Sequence, residues 1–193
     1  MAHRPDIAVY GYARSGKDTI AEHLITAHGY VKVAFADPLR AVMLSTNPIV
    51  GFEEGQDYEI KIVRYSEVLL NIGYEAAKDQ YPEIRRLLQA HGVGIREHVD
   101  PDAWVDAALR TIRRVPSGTP IVVTDCRFAN EFSALDEMGF EFVRVLRDGQ
   151  TNRDQHVSET ELDNQKPDHT VRNDGVNLLD LRNRVDELLQ DLT

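Results

Sequence analysis

The stretch GYARSGKDT, Gly11 to Thr19, carries two glycines and a lysine at the spacing of a phosphate-binding loop. In the pattern GxxxxGK[ST], backbone N–H groups of a glycine-rich turn surround phosphates, the lysine reaches the outer ones and the last hydroxyl binds magnesium. Gly11, Gly16 and Lys17 satisfy it, while Asp18 stands at the hydroxyl position and Thr19 follows one place later. Further charged residues follow the apolar runs downstream. Asp37 and Arg40 come after VKVAF, Asp125 and Arg127 after IVVT, and Arg147 and Arg153 after the run that ends at Leu146. Phosphoryl transfer between two anionic substrates needs such cations, first to offset donor and acceptor charge and then that of the transferring group.

The elements that must position these residues alternate between strand and helix. DIAVY (6–10) reads as a strand, and Gly16 to His28 as a helix with Ile20, Ala21, Leu24 and Ile25 on one face. Strand, loop and helix in that order aim the loop amides and the helix dipole at an anion. VKVAF (31–35) predicts a second strand, and ADPLRAVML a helix with Asp37 as N-cap and Pro38 in its first turn. A loop from about Pro48 to Asp57 is expected next, then three helical stretches near 65–79, 83–98 and 102–115. They form a helical insertion between strands 2 and 3. The continuous apolar run IVVT suits a strand buried on both faces and beside the first one.

A helix near 130–138, a strand near 141–146, a polar segment from Arg147 to Asp168, a short strand near 169–172 and a helix from Asn177 complete the chain. The stripe Leu178, Leu181, Val185, Leu188, Leu192 spans about two heptads, too few for a coiled coil, and is expected to pack on the sheet. The fold class is therefore a three-layer α/β fold with a mainly parallel sheet. Ligands in such folds lie at the C-terminal ends of the strands, where the charged residues fall.

Composition narrows the partners. A chain of 193 residues, 42% hydrophobic and 28% charged, is most simply one globular domain. The formal net charge of −10 argues against a nucleic-acid partner, which needs a basic surface. With no long apolar segment to cross a membrane or act as a signal peptide, the chain reads as cytosolic. The single cysteine, Cys126, excludes an intramolecular disulfide and reads as a buried core thiol. None of the seven histidines shows metal-site spacing, so no structural metal is expected.

Five segments in order, GYARSGKDT, FADPLR (35–40), RRLLQAHGVGIREHVDPDAWV (85–105), TDCRFANE (124–131) and HVSETELD (156–163), resemble the viral (bacteriophage) deoxynucleoside monophosphate kinases. That family is a branch of the P-loop nucleoside monophosphate kinases, and the likeness covers most of the chain. It implies a single P-loop NTPase domain over 1–193, with an acceptor-binding helical region at about 37–115 and a lid at about 147–168. The implied reaction transfers the γ-phosphoryl of ATP, with Mg²⁺, to a deoxynucleoside 5′-monophosphate. By resemblance Ala13, Arg14, Ser15, Gly16, Lys17, Asp18 and Thr19 hold ATP. Lys17, Arg127, Arg147 and Arg153 supply the catalytic cations. Arg127 binds the acceptor phosphate, and Asp37, Arg40, Arg85, Arg96, Trp104, Asp125 and Glu131 belong to the acceptor side. Trp104 has a second reading as a helix core aromatic.

One position departs from the family, and a second from the wider nucleoside monophosphate kinases. Val93 stands in GVGIR where the family more often has threonine, which bears on base preference. Asp18 stands where many relatives have the second glycine of GKGT. Its carboxylate either favours the helix N-terminus or holds a magnesium-bound water, with Thr19 as the direct metal ligand. The partners implied are small-molecule nucleotides, and a homodimer is allowed; a viral enzyme of this kind would work in the host cytoplasm. Two other readings stay open. One is a P-loop kinase for another small phosphorylated metabolite such as phosphomevalonate, and the other a nucleotide-binding regulator without catalysis.

Overall fold

A computed structural model describes residues 4–12, 14–54, 59–147, 161–174 and 177–192. Its elements run β1 (Ile7–Tyr10), α1 (Lys17–His28), β2 (Val31–Val33), α2 (Asp37–Thr46), β3 (Ile49–Glu54), β4 (Ile60–Arg64) and α3 (Tyr65–Gln80). They continue with α4 (Pro82–His98), α5 (Ala103–Ile112), β5 (Ile121–Val123), α6 (Ala129–Asp136), β6 (Glu141–Arg147), β7 (His169–Asn173) and α7 (Leu178–Asp191). The chain divides into two compact units, Met1–Phe35 with Val105–Thr193, and Ala36–Trp104.

The first unit is built on a five-stranded sheet in the order β2-β5-β1-β6-β7, with every neighbouring pair parallel. β1 lies at its centre, which explains why all four of its residues are apolar and buried. Side chains alternate across the sheet. Ile7 and Val9 join Ile20 and Leu24 of α1 and Leu181, Val185 and Leu189 of α7 in one core layer. Ala8 and Tyr10 join Val105, Ala108 and Ile112 of α5 and Leu135 of α6 in the other. Three layers result, helices on both faces of a parallel sheet.

From β1 the chain moves to β2 on one side, and it later moves from β5 to β6 across β1. Connections that leave in opposite directions open a crevice at the C-terminal end of β1. The residues that follow Tyr10 therefore sit at the switch point.

The second unit pairs β3 with β4 in an antiparallel hairpin and packs it with α2, α3 and α4. Its core contains Met43, Val50, Val63, Tyr65, Val68 and Ile84. Here the structure differs from the expected loop at 48–57. Ile49–Glu54 is a strand because it finds Ile60–Arg64 as its partner, and Val50 and Val63 anchor the pair in the core. Glycine and two acidic residues in GFEE conceal that pairing in the sequence. α2 begins one residue earlier than expected, with Ala36 as N-cap. Asp37 lies within the first turn and pairs with Arg40 at 2.9 Å.

Gly11 has φ 140°, and a Cβ built on it would meet the Val145 carbonyl oxygen of β6 at 2.5 Å. A methyl group there must displace backbone, so Gly11→Ala is expected to lose about 2–4 kcal/mol of stability. Gly94 sits within α4 with nothing within 4 Å of an added Cβ. Gly94→Ala should gain about 0.5–1 kcal/mol by helix propensity. Urea unfolding of the two variants reads both signs.

Candidate active site

The turn from β1 into α1 uses backbone conformations that L side chains rarely adopt: φ is 140° at Gly11, 63° at Arg14 and 110° at Gly16. Donors hold the carbonyls of this loop. Lys17 Nζ donates to the Gly11 and Tyr12 carbonyls, each at 2.7 Å. Arg147 donates to the Arg14 carbonyl at 3.1 Å, and Asn173 Nδ2 to the Ser15 carbonyl at 2.8 Å. The amides of Asp18 and Thr19 fall in the first turn of α1, where helix geometry offers no carbonyl partner. Carbonyls turned to side-chain donors and amides gathered at a helix N-terminus are an arrangement that can hold an anion. Ser15 is fully buried, and its carbonyl is taken by Asn173.

Lys17 stands between two clefts. Tyr12, Cys126, Arg127, Arg144 and Asp163 line the first with it. Arg14, Asp18, Thr19, Arg147, Asn173 and Asn177 line the second. A lysine that lines both clefts suits a group passing from a donor to an acceptor.

On the first side, Arg127 sits in the turn after β5. Its backbone N–H and that of Phe128 donate to Glu131 Oε2 at 2.8 and 3.2 Å, and Glu131 is only 2% exposed. Glu161 Oε1 accepts from the Ala129 N–H at 2.7 Å. Both carboxylates thus sit at the N-terminus of α6, where the helix dipole favours negative charge. Asp125 Oδ1 accepts from the Phe35 N–H at 3.0 Å, joining the end of β5 to the segment after β2. In these contacts Asp125 and Glu131 hold the backbone that presents Arg127.

Three residues of this cleft escaped the sequence reading. Arg144 donates to Asp163 Oδ1 at 3.2 Å and to the Asp163 carbonyl at 3.3 Å, and Tyr12 O–H donates to the same Oδ1 at 2.8 Å. The available signal was an arginine inside the apolar strand FVRVL, since a half-buried guanidinium needs a carboxylate. Donation to Asp163, with some burial, holds the Tyr12 phenol above its usual range. Burial raises Tyr10 as well, against the opposing charge of Arg144. Cys126 is pushed up by burial, with Glu131 and Asp125 adding to the effect. Burial thus favours the neutral thiol over the thiolate, the nucleophilic form.

On the second side, the Asp18 side chain is 91% exposed and lies 3.7 Å from Lys32 Nζ. Asp18 and Thr19 bring oxygen donors to the mouth of this cleft, a hard-ligand set that fits Mg²⁺ with its retained waters. Arg147 is placed by its bond to the loop. Ala13, Arg153 and residues 148–160 of the expected lid lie outside the described residues.

The remaining predicted residues belong to the Ala36–Trp104 unit. Arg40 pairs with Asp37 and lies over the Tyr74 ring at 4.5 Å. Arg85 meets Asp79 at 3.2 Å on the surface, and Arg96 occupies the last turn of α4. Trp104 is 6% exposed, and its indole N–H donates to the Gly92 carbonyl at 3.0 Å. That contact ties the start of α5 to α4 and matches the core-aromatic reading of this residue.

The family model for deoxynucleotide monophosphate kinase matches residues 47–185. The chain belongs to that family. A protein of Acanthamoeba polyphaga mimivirus, provisionally named a deoxynucleotide monophosphate kinase, is 28% identical over 166 residues, covering 81% of each chain. The deoxynucleotide monophosphate kinase of Enterobacteria phage T4 is 26% identical, with 88% of this chain and 92% of that one covered. The namesake from Escherichia phage RB69 is 32% identical over 110 residues, 55% of this chain and 45% of its own. Gly11–Thr19 lies upstream of the segment that the family model matches. Loop geometry and family membership are therefore separate observations that agree.

In this kinase family member Glu131 is expected to act through the turn it holds. Glu131→Ala removes the acceptor of two amides and should cost about 2–4 kcal/mol. Glu131→Gln keeps one acceptor oxygen and should cost about 1 kcal/mol. Thermal unfolding of both variants checks the order, and activity should fall with the displacement of Arg127.

Proposed function

We propose that the chain transfers the γ-phosphoryl group of ATP to a deoxynucleoside 5′-monophosphate by direct in-line displacement, with no covalent enzyme intermediate. The observation that carries this reading is the position of Lys17 between a cleft with Arg127 and a cleft at the α1 N-terminus. Family membership adds the substrate class.

The triphosphate lies along the loop amides and the first turn of α1, with its outer phosphates against Lys17. Arg127 receives the acceptor phosphate in the first cleft. Mg²⁺ bound with the nucleotide neutralises developing phosphate charge, and Thr19 Oγ1 and, through water, Asp18 are the oxygens that would hold it. Arg153, which follows β6 in the sequence, supplies a further cation for the transferring group. Asp37, Arg40, Arg85 and Arg96 serve the acceptor nucleoside and its phosphate. Catalysis is then positioning and neutralisation, since the chemistry itself asks little covalent help from the protein.

A panel of ribo- and deoxyribonucleoside monophosphates with ATP, read by diphosphate formation, tests the reading. Turnover of at least one deoxynucleotide is expected, and failure on every nucleotide overturns it. Lys17→Ala should lower kcat/KM by about 10²–10³-fold with little change in unfolding temperature. Arg127→Lys should lose about 10²-fold despite keeping its charge, because an ammonium cannot grip two phosphate oxygens in a planar fork. If Asp18 holds a magnesium-bound water, Asp18→Gly should need more Mg²⁺ and recover rate when Mg²⁺ is raised. Superimposable Mg²⁺ curves for the two proteins would assign Asp18 to the helix N-terminus alone.

A further inference from the structure

Away from the clefts, His23 and His28 of α1 both point at one atom of α7. His23 Nε2 lies 2.7 Å and His28 Nε2 2.6 Å from the same carboxylate oxygen, Asp186 Oδ1. Their side chains are 12%, 17% and 39% exposed, respectively, so the cluster is sheltered yet reachable from solvent through Asp186. The two rings stand edge to face with centroids 5.2 Å apart. Ligand atoms from all three residues lie within 4.8 Å of one another, the one such group of three among the described residues. Other described histidines differ: His169 meets a single carboxylate, Glu141, and His91 a backbone carbonyl.

We propose that His23, His28 and Asp186 form a binding site for an imidazole-preferring divalent cation of the Zn²⁺ class, clipping α1 to α7. Two imidazole nitrogens and one carboxylate oxygen are a common zinc donor set, with water completing the tetrahedron. Ligand atoms around a tetrahedral ion bound at about 2.0–2.1 Å stand roughly 3.3 Å apart. The present spacings of 2.7 and 2.6 Å are those of hydrogen bonds, so each nitrogen–oxygen pair opens by under about 1 Å on binding. A neutral ring in this contact donates from Nε2–H, since the carboxylate only accepts. To ligate, it gives that proton to solvent and takes one at Nδ1, with no net release, whereas a ring that starts as the cation releases one proton.

Burial opposes ionisation of Asp186, but hydrogen bonds from His23 and His28 outweigh it and hold its carboxyl below the usual range. The anion needed as a ligand is thus present at neutral pH. Magnesium is a poor occupant, because it prefers oxygen donors and nearly ideal octahedral geometry. Gly16–Thr19 at the start of α1 and Asn177, Leu178 and Leu181 at the start of α7 line one cleft. The cluster fastens the other halves of these two helices. Its expected role is to hold them together, not to take part in transfer.

The test uses the metal-free, untagged full chain. Titration with Zn²⁺ should show one equivalent bound, and a free concentration 100 times Kd should raise the unfolding temperature by about 5–10 °C. Mg²⁺ at the same concentration should leave it unchanged. In imidazole ¹⁵N spectra of the unaltered protein, the resonances of His23 and His28 should move on addition of Zn²⁺. His28→Gln and Asp186→Asn should each weaken binding by at least about tenfold and abolish most of the thermal shift, with kinase turnover kept within about twofold. No binding by the unaltered chain, binding of equal strength in both variants, or movement of other histidines instead would overturn the proposal. A cluster that serves only as a pair of hydrogen bonds would give variants of lower stability and no dependence on Zn²⁺, which also overturns it.

Discussion

Gly11 and Gly16 let the chain pass where no side chain fits. A Cβ on Gly11 would meet the Val145 carbonyl at 2.5 Å, and one on Gly16 would meet Asn173 Nδ2 at 2.6 Å. Because the loop lies this close to the ends of β6 and β7, Arg147 and Asn173 can reach its carbonyls. Those bonds fix which way the loop faces, and its amides follow. Parallel pairing of β1 with β5 on one side and β6 on the other supplies the wall against which the loop is pressed. The candidate anion site is thus a property of the sheet as much as of the loop.

A chain of net charge −10 gathers cations around one crevice. Lys17, Arg127 and Arg144 line one cleft and Arg14, Lys17 and Arg147 the other. Many of the carboxylates close by are engaged in holding backbone. Glu131 and Glu161 accept from amides at the start of α6, and Asp125 accepts from Phe35. Negative charge kept on helix ends and loop amides is stabilising in itself and orients the cationic turn. An acidic body with a local basic crevice admits a small phosphate ester more readily than a polyanion.

Most of the fold was legible in the sequence because its signals are local. A buried parallel strand is a short apolar run, and a helix shows its face every three to four residues. DIAVY, IVVT and the stripe at 178–192 therefore announced β1, β5 and α7, although Leu178 stays exposed and Leu189, outside the stripe, is buried with Leu181 and Val185. Hairpin β3–β4 was hidden because its strands are stabilised by each other, with Phe52 opposite Ile62 and Glu53 opposite Lys61. Cross-strand pairing of that kind leaves little periodic trace in either strand alone.

The sequence by itself determined the phosphate loop, since two glycines and a lysine at fixed spacing are a demand of backbone geometry that few other residues can meet. It also placed charged residues after the strands, and with them the crevice. Tertiary structure alone decided what each charge does. Arg144 and Tyr12 meet at Asp163, separated from them by 19 and 151 residues, and His23 and His28 meet at Asp186 across 163 and 158. It likewise decided that Trp104 is buried against α4 and that Asp18 stands in solvent beside Lys32. The physical reason is one of range. Dihedral preferences and apolar periodicity act within a few residues, whereas a charged side chain takes its role from the partner that folding brings to it, and partners far apart in the chain leave no spacing to read.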